Sequence, residues 1–155
     1  MRTKEDYINF LAEVRKVSGI DSFQPDETGL VSVKVDDAYI VNLQFVEATA
    51  KIICFIEVTE LPMDAGCEVY RDLLAGGLFG KETAGGFFTL ELETNTVIYN
   101  YFFELEMVEK DVEDFIKTLE KILQLCDLWT ERIKEKMGCS EAGSTETAPH
   151  PSVFV

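Results

Sequence analysis

Apolar side chains alternate with other residues along five short segments of the chain, which predicts a sheet of about five strands. The first three segments, residues 29–35, 38–47 and 51–58, are separated by turns of two or three residues. Connections this short join neighbouring antiparallel strands, so the three segments should form a meander. The last two segments begin at Phe87 and Val97 and are joined by Thr94-Asn95-Thr96, a turn in which Asn tolerates the left-handed conformation.

Apolar residues recur at helical spacing in three other segments. The first helix is predicted over residues 3–18, with Thr3 as its N-cap. The second runs from a cap at Asp64 to about Leu78, and the third spans residues 110–136. The element order α-βββ-α-ββ-α predicts an α+β fold, an antiparallel twisted sheet of about five strands with three helices.

The second face of the predicted sheet is unusually apolar. Ile53 and Phe55 lie opposite the main apolar set of the third strand, and Ile40 and Val46 do the same on the second strand. An antiparallel sheet with helices on one side is normally polar on the other. This face is therefore either a partner-binding patch or a second buried surface of the core. Three helices are too few to cover both faces, which favours the partner-binding interpretation.

The first helix is a further candidate for partner contact. Ile8 widens its apolar stripe to about half of the helix circumference. The alternative is a first helix that is simply well buried.

A glycine-rich loop follows the second helix. Four apolar residues at helical spacing precede or enter it, namely Leu73, Leu74, Leu78 and Phe79, and glycines at positions 76, 77 and 80 end the helix. Gly80-Lys81 resembles the end of a phosphate-binding P-loop, but Glu82 occupies the position of the Ser or Thr in that motif. The loop also follows a helix, whereas a P-loop follows a strand. We therefore predict no nucleotide binding and no cofactor.

Charge restricts the class of partner. The 155 residues contain 29 acidic and 14 basic side chains, a formal net charge of −15. Such a field repels nucleic acid and anionic membrane surfaces. It would attract a basic or mixed-charge partner, or it could serve only to keep an apolar protein soluble.

The residue types needed for catalysis or metal binding are sparse. The four cysteines have no CxxC spacing, and the one histidine, His150, lies near the C-terminus. Cys54 and Cys126 fall on apolar stripes and are expected in the core of a protein from a reducing compartment. We predict no metal site and no enzyme, because no nucleophile has a base partner. The enzyme alternative would use an acid–base pair such as Glu91 and Glu93, but both lie on the solvent-facing side of their strand, where ordinary solvated carboxylates are the default.

Localisation and domain limits follow from the same residues. No signal peptide is visible, no apolar run is long enough to span a bilayer, and a cytoplasmic protein is expected. Residues 1–137 form one predicted domain. Residues 138–155 are small, polar and Pro-containing, which predicts a disordered C-terminal tail.

The stretch from Leu73 to Trp129 resembles the class I type III secretion chaperones, the Tir-chaperone family. The resemblance rests on a leucine-rich helix end, Leu78-Phe79-Gly80, then Thr83, Gly85-Gly86 and the strand Leu90-Glu91-Leu92. Ala84 departs slightly from the glycine-rich form of this loop. The element order extends the resemblance to residues 3–136.

The resemblance implies a cytoplasmic homodimer that binds the N-proximal segment of a secreted effector in extended form and keeps it soluble and ready for export. It names the secretion ATPase as a further candidate partner. It implies a partner-binding set on the first helix and first three strands, to which we assign Ile8, Ile40, Val46, Ile53 and Phe55. It also implies a dimer interface at the second helix and the nearby strand, to which we assign Leu73, Leu74, Leu78, Val97, Tyr99 and Tyr101. A protein-binding regulatory module with the same fold and no link to secretion is the alternative function.

Overall fold

Residues 1–147, which the computed structural model describes with side chains through Gly138, form a five-stranded antiparallel sheet and four α-helices. The predicted α+β class and element order are confirmed, with one short additional helix, α3. The elements are α1 (Lys4–Ser18), β1 (Val31–Val35), β2 (Tyr39–Val46), β3 (Lys51–Glu60), α2 (Cys67–Gly76), a 3-10 turn (Leu78–Gly80), β4 (Phe87–Glu91), β5 (Thr96–Glu104), α3 (Leu105–Val108) and α4 (Val112–Thr147).

The sheet has the strand order β1-β2-β3-β5-β4, and every neighbouring pair is antiparallel. The predicted meander of β1, β2 and β3 is therefore confirmed. The β4–β5 hairpin joins it through β5, whose Tyr99 and Phe103 pair with Ile56 and Ile52 of β3. As a result β1 and β4 are the two edge strands.

The first helix begins with a reciprocal cap. The Thr3 hydroxyl accepts from the Asp6 amide at 3.3 Å, and the Asp6 carboxylate accepts from the Thr3 amide at 2.7 Å. Two backbone donors that a helix leaves unpaired at its start are thus satisfied. At the other end Gly19 adopts a φ of 73°, the left-handed conformation that terminates a helix and suits glycine.

Helices α1 and α4 pack on the same face of the sheet. Tyr7 of α1 stacks on Phe45 of β2, with ring centroids 5.2 Å apart. Phe115 of α4 contacts Phe10 of α1 and Phe103 of β5 at 4.9 and 4.8 Å. We call this the core face of the sheet and its opposite the open face.

Helix α2 is shorter than predicted at both ends. It begins after Gly66, and Asp64 does not cap it, because the chain first makes a turn in which the Ala65 amide donates to the Pro62 carbonyl. It ends at Gly76, so Leu78 lies in the 3-10 turn and not in the helix. Gly76 and Gly77 raise the conformational entropy that the chain loses if the helix continues, because glycine is the most flexible residue.

Helix α4 begins later and ends later than predicted. The Asp111 carboxylate accepts from the Asp114 amide at 3.0 Å and fixes the start. The helix continues to Thr147, whereas the prediction ended it at residue 136. The domain boundary at residue 137 stays a prediction. Residues 148–155, the last part of the predicted tail, include His150 and lie outside the described residues.

Candidate partner-binding surface

An apolar patch covers much of the open face of the sheet. We define the open-face patch by its side chains on four strands: Ile40, Val46, Ile53, Phe55, Phe87, Ile98 and Phe102. None of them belongs to the buried core cluster or packs against it. Ile40 and Phe102 are each 46% exposed and Phe87 is 42% exposed. Lone apolar residues are ordinary on a surface, but a contiguous set of this kind marks an interaction site.

Strand register brings the patch together. Asn42, Phe55, Asn100 and Phe87 lie side by side across β2, β3, β5 and β4. In the neighbouring row Gln44, Ile53 and Phe102 follow one another. The rings of Phe87 and Phe102 stack at 5.9 Å and join the two rows at the β4 edge.

Polar side chains interrupt the patch: Asn42, Asn100 and Gln44 lie within its rows, and the Lys51 ammonium lies 5.9 Å from the centre of the Phe102 ring. The Asn42 amide donates to the Phe55 carbonyl at 3.2 Å. The Asn100 amide donates to the Thr89 hydroxyl at 2.9 Å and to the Phe87 carbonyl at 3.3 Å. The donors of the two asparagines are therefore turned toward the sheet itself and do not compete with a partner for the neighbouring apolar side chains.

Four of the five predicted partner-binding residues share this patch. Ile40, Val46, Ile53 and Phe55 all lie on the open face. Ile8 does not join them, because α1 packs on the core face, and Ile8 is 41% exposed on the other side of the sheet. Phe87 and Phe102 were not predicted as site residues. The apolar residues Ile98 and Phe102 on the second face of β5 were the sequence feature that could have identified this strand as part of the site.

The predicted dimer-interface residues divide into two groups. Leu73, Val97 and Tyr99 are buried in the core of the protomer, so their side chains offer no surface to a second subunit. Their assignment to the dimer interface stays a prediction. Tyr101 is half-buried, and Leu74 and Leu78 are 79% and 63% exposed.

The glycine-rich loop is held against the core by two hydrogen bonds from buried side chains. The Tyr99 hydroxyl donates to the Thr83 carbonyl at 2.7 Å, and the Trp129 indole donates to the Glu82 carbonyl at 2.9 Å. Trp129 is buried, as expected of a core anchor, and its ring lies directly against Gly76. The loop therefore holds a fixed shape and carries its apolar tip, Leu78-Phe79, outward.

A second apolar site lies among the helices on the core-face side. This helix-side groove has a volume of about 390 Å³. Three carboxylates stand around it, Asp36, Glu120 and Asp127, and the last accepts from the Tyr39 hydroxyl at 2.8 Å. Sequence reasoning missed the groove because distant segments build its apolar wall: Ile20, Phe23, Val35, Val41, Ile116, Leu119 and Leu123.

The cysteines have the environment of small apolar residues. Cys54 and Cys126 are buried, as predicted, and burial raises the pKa of each thiol to about 12. A thiol in that state is a poor nucleophile. Across the described residues no cluster of three or more potential metal ligands occurs, and no helix there is long and apolar enough to cross a membrane.

Comparison with known proteins identifies relatives of the chain. The sequence model of the Tir chaperone protein (CesT) family matches residues 9–130. No curated protein matches the chain.

Solved structures with the same fold include three complexes. The ExsC-ExsE complex matches with a TM-score of 0.72 at 20% identity, over 84% of this chain and 96% of that one. The HopA1-SchA chaperone-effector complex matches with a TM-score of 0.61 at 18% identity, over 85% and 95%. The Yersinia pestis type III secretion chaperone SycH, in complex with a stable fragment of YscM2, matches with a TM-score of 0.57 at 17% identity, over 77% and 98%. At identities this low the likeness shows the fold alone.

Proposed function

This chain belongs to the Tir chaperone protein (CesT) family, the class I type III secretion chaperones, and we propose that it acts as a cytoplasmic homodimer that binds the N-proximal segment of a secreted effector. The segment is held in extended form and stays soluble and ready for export, with the secretion ATPase as a further candidate partner. The family implies a binding protein without enzymatic activity. Structural neighbours in complexes with effectors or protein fragments favour the same role.

The open-face patch is the observation that carries this proposal. Its aromatic and aliphatic side chains are spread over four strands, and no described helix packs on them. An extended partner can lie across such a face, or pair with the free edge of β1 or β4, and place alternate side chains on the patch. Residues at a spacing of two along the partner should therefore be apolar.

The helix-side groove provides a second contact for the same partner. It adjoins the β1 edge through Val35, whereas the open-face patch lies on the opposite side of the sheet. A segment that fills both must pass around an edge strand, which an extended chain can do and a folded domain cannot. Asp36, Glu120 and Asp127 favour a partner with Lys or Arg beside the apolar residue that enters the groove.

Coexpression with the product of the neighbouring open reading frame tests the proposal. The change is the double variant Ile53→Glu and Phe55→Glu, which places two charges in the centre of the open-face patch. We expect wild-type protein to purify as a complex with a protease-sensitive partner segment, and the variant to lose that segment. The measurement is light scattering for the mass of the complex, followed by limited proteolysis.

A matched control separates binding from folding. Leu92→Glu also adds charge at an exposed apolar residue, but beyond the end of β4 and outside the patch. It should bind as the wild type does. Circular dichroism should show the same helix content in all three proteins. A folded double variant that still holds the partner segment would show that the open-face patch is not the binding surface.

A further inference from the structure

Glu57 places a carboxylate on the open face of the central strand, β3. The residue is exposed, and it pairs with Ile98 of β5 on one side. Because Val41 pairs with Ile56, Ile40 of β2 is the neighbour of Glu57 on the other side. The carboxylate therefore stands in one row of the sheet between two side chains of the open-face patch.

Glu57 has no counter-charge within the part of the chain described with side chains. No Lys or Arg of that part forms an ion pair with it. Lys34 of β1 shares its row, but it lies beyond Ile40 and pairs with Asp37 at 3.7 Å.

The other carboxylates on the open face differ from Glu57. Glu91 accepts from the amide and the hydroxyl of Thr94, each at 2.9 Å. Glu104 is the β5 neighbour of Lys51, a basic residue on the same face. Glu57 is thus the open-face carboxylate that is left to a partner.

The regular pairing of β3 with β5 stops beside Glu57. Glu57 pairs with Ile98 and Thr59 pairs with Val97, so β3 has one extra residue between the two pairs. This is a β-bulge, a feature that bends a strand, changes the direction of a side chain and often occurs next to functional sites.

A partner that packs on Ile40 and Ile98 covers the carboxylate between them. Removal of an ionised carboxylate from water without a counter-charge is strongly unfavourable. An entirely apolar partner is therefore penalised at this position, whereas a partner that places a cation there is not.

We infer that Glu57 selects an effector segment with an arginine among its apolar residues, an inference that rests on the proposed function. The guanidinium is planar, always charged and weakly hydrated, and it can pair with a carboxylate through two hydrogen bonds. Phe55 lies about 7 Å from Glu57 along the same face, within reach of the flat side of a guanidinium. Lys51 at the other end of this strand repels a cation, which restricts the arginine to the Glu57 end.

The chain itself contains an arginine in this kind of environment. The Arg132 guanidinium donates to both carboxylate oxygens of Asp72, at 2.6 and 2.7 Å, and lies over the Trp129 ring at 4.5 Å. A carboxylate and an aromatic ring thus hold a guanidinium together. Glu57 and Phe55 offer the same two groups to a guanidinium from outside.

Selection of random peptides displayed on phage tests the inference with the full chain. Peptides that also bind the double variant Ile53→Ser and Phe55→Ser are first removed, so that the remaining peptides need the open-face patch. We expect the wild type to select peptides with an arginine close to apolar residues, and Glu57→Gln to select apolar peptides without it. Glu93→Gln removes the same charge from an exposed turn outside the patch and should select as the wild type does.

The strength of the pair is measured with one selected peptide that carries a fluorescent label. Citrulline in place of its arginine keeps the shape of the side chain and removes the charge. Fluorescence anisotropy should show a Kd about tenfold higher for the citrulline peptide on the wild type, as expected for a hydrogen-bonded charge pair, and equal values on Glu57→Gln. A peptide with leucine in place of the arginine should bind Glu57→Gln more tightly than the wild type.

The other outcomes separate this inference from the proposed function. Selected peptides without arginine, or a citrulline effect that is the same on the wild type and Glu57→Gln, would refute the role of Glu57 and leave the open-face patch as a binding surface. The comparison of the two peptides on the wild type needs no variant, so equal Kd values there refute the inference even if Glu57→Gln does not fold. If no peptide depends on the patch, the binding surface of the proposed function fails and the inference fails with it.

Discussion

The side-chain amide of Asn95 ties the β4–β5 turn to the connection between β3 and α2. Its nitrogen donates to the carbonyls of Leu61 and Pro62, both at 3.1 Å, and the residue is 7% exposed with a φ of 55°. The Leu61 amide returns a bond to the Asn95 carbonyl at 2.8 Å. Asn95 thus combines a left-handed backbone, which asparagine tolerates, with two donors in a buried place.

A series of three substitutions at Asn95 separates these contributions. Asn95→Gly keeps the left-handed backbone and loses two hydrogen bonds, at about 1 kcal/mol each, so unfolding should become easier by about 2 kcal/mol. Asn95→Ala loses the same bonds and adds about 1 kcal/mol of backbone strain, for a total of about 3 kcal/mol. Either loss is a large part of the stability of a small domain.

Asn95→Asp should be the most destabilising of the three at neutral pH. It preserves size and backbone tolerance but places a carboxylate against two carbonyl oxygens. The folded state then favours the protonated acid, which raises the pKa of the new carboxyl above its unfolded value of about 3.9. When the folded pKa of a group is raised, the free energy of unfolding falls as pH rises from the unfolded pKa through the folded pKa. The loss of stability in the Asp variant should therefore be complete at pH 7 and should diminish as pH falls toward about 4.

Urea unfolding, followed by circular dichroism and by the fluorescence of the single tryptophan, gives the free energies. All proteins are compared at one concentration, because dimerisation would make the midpoints depend on it. The expected order of stability at pH 7 is wild type, Gly, Ala, Asp. An Asp variant as stable as the Gly variant, or one whose defect does not change with pH, would refute the assignment of the amide as a double donor.

Three further predictions follow from other parts of the fold. Thr3→Ala removes one side of the reciprocal cap of α1 and should lower the free energy of unfolding by about 1 kcal/mol in the same urea assay, and no change would show that the cap is frayed in solution. Gly86→Ala would place a Cβ 2.5 Å from a backbone carbonyl oxygen of β5, so it should give little soluble folded protein by gel filtration, and a well-folded variant would contradict the packing of this loop. Native protein exposed to a thiol reagent at pH 7 should be modified at the exposed Cys67 and not at Cys54 or Cys126, as mass spectrometry of peptides would show. Modification of the buried pair without urea would contradict the core position of their thiols.

Local patterns were enough to predict the elements of this fold. The cap at Thr3, the alternation in β2 and β3, and the repeat in α4 each depend on residues close together in the chain. The strand order was not predicted, because the placement of β5 beside β3 depends on pairing between segments about 45 residues apart, such as Ile56 with Tyr99. The start of α2 was placed too early because Asp64 had the right chemistry for a cap, whereas the backbone makes a separate turn there.

Part of the candidate site could be predicted because the residue pattern of one strand is enough to show an apolar second face. Ile53 and Phe55 stood out because both faces of β3 are apolar, and the open face contains them. Burial that depends on tertiary packing is not visible in such a local pattern. Tyr99 shares its alternation pattern with exposed strand residues, and only the position of the helices shows that its side of β5 is buried. The helix-side groove left no signal in the pattern of residue types.

The open face carries three of the exposed large hydrophobic side chains of this acidic chain, Ile40, Phe87 and Phe102. A sheet with helices on one face is normally stable with polar residues on the other, so folding does not require Ile53, Phe55 or Phe102 there. Phe102 and Phe87 are nearly half exposed, which would promote association of a neutral protein. A charge of −15 opposes that association between identical chains but not with a basic segment. The same two features, an uncovered apolar face and an acidic surface, thus select against nonspecific aggregation and in favour of a partner that supplies both apolar side chains and positive charge.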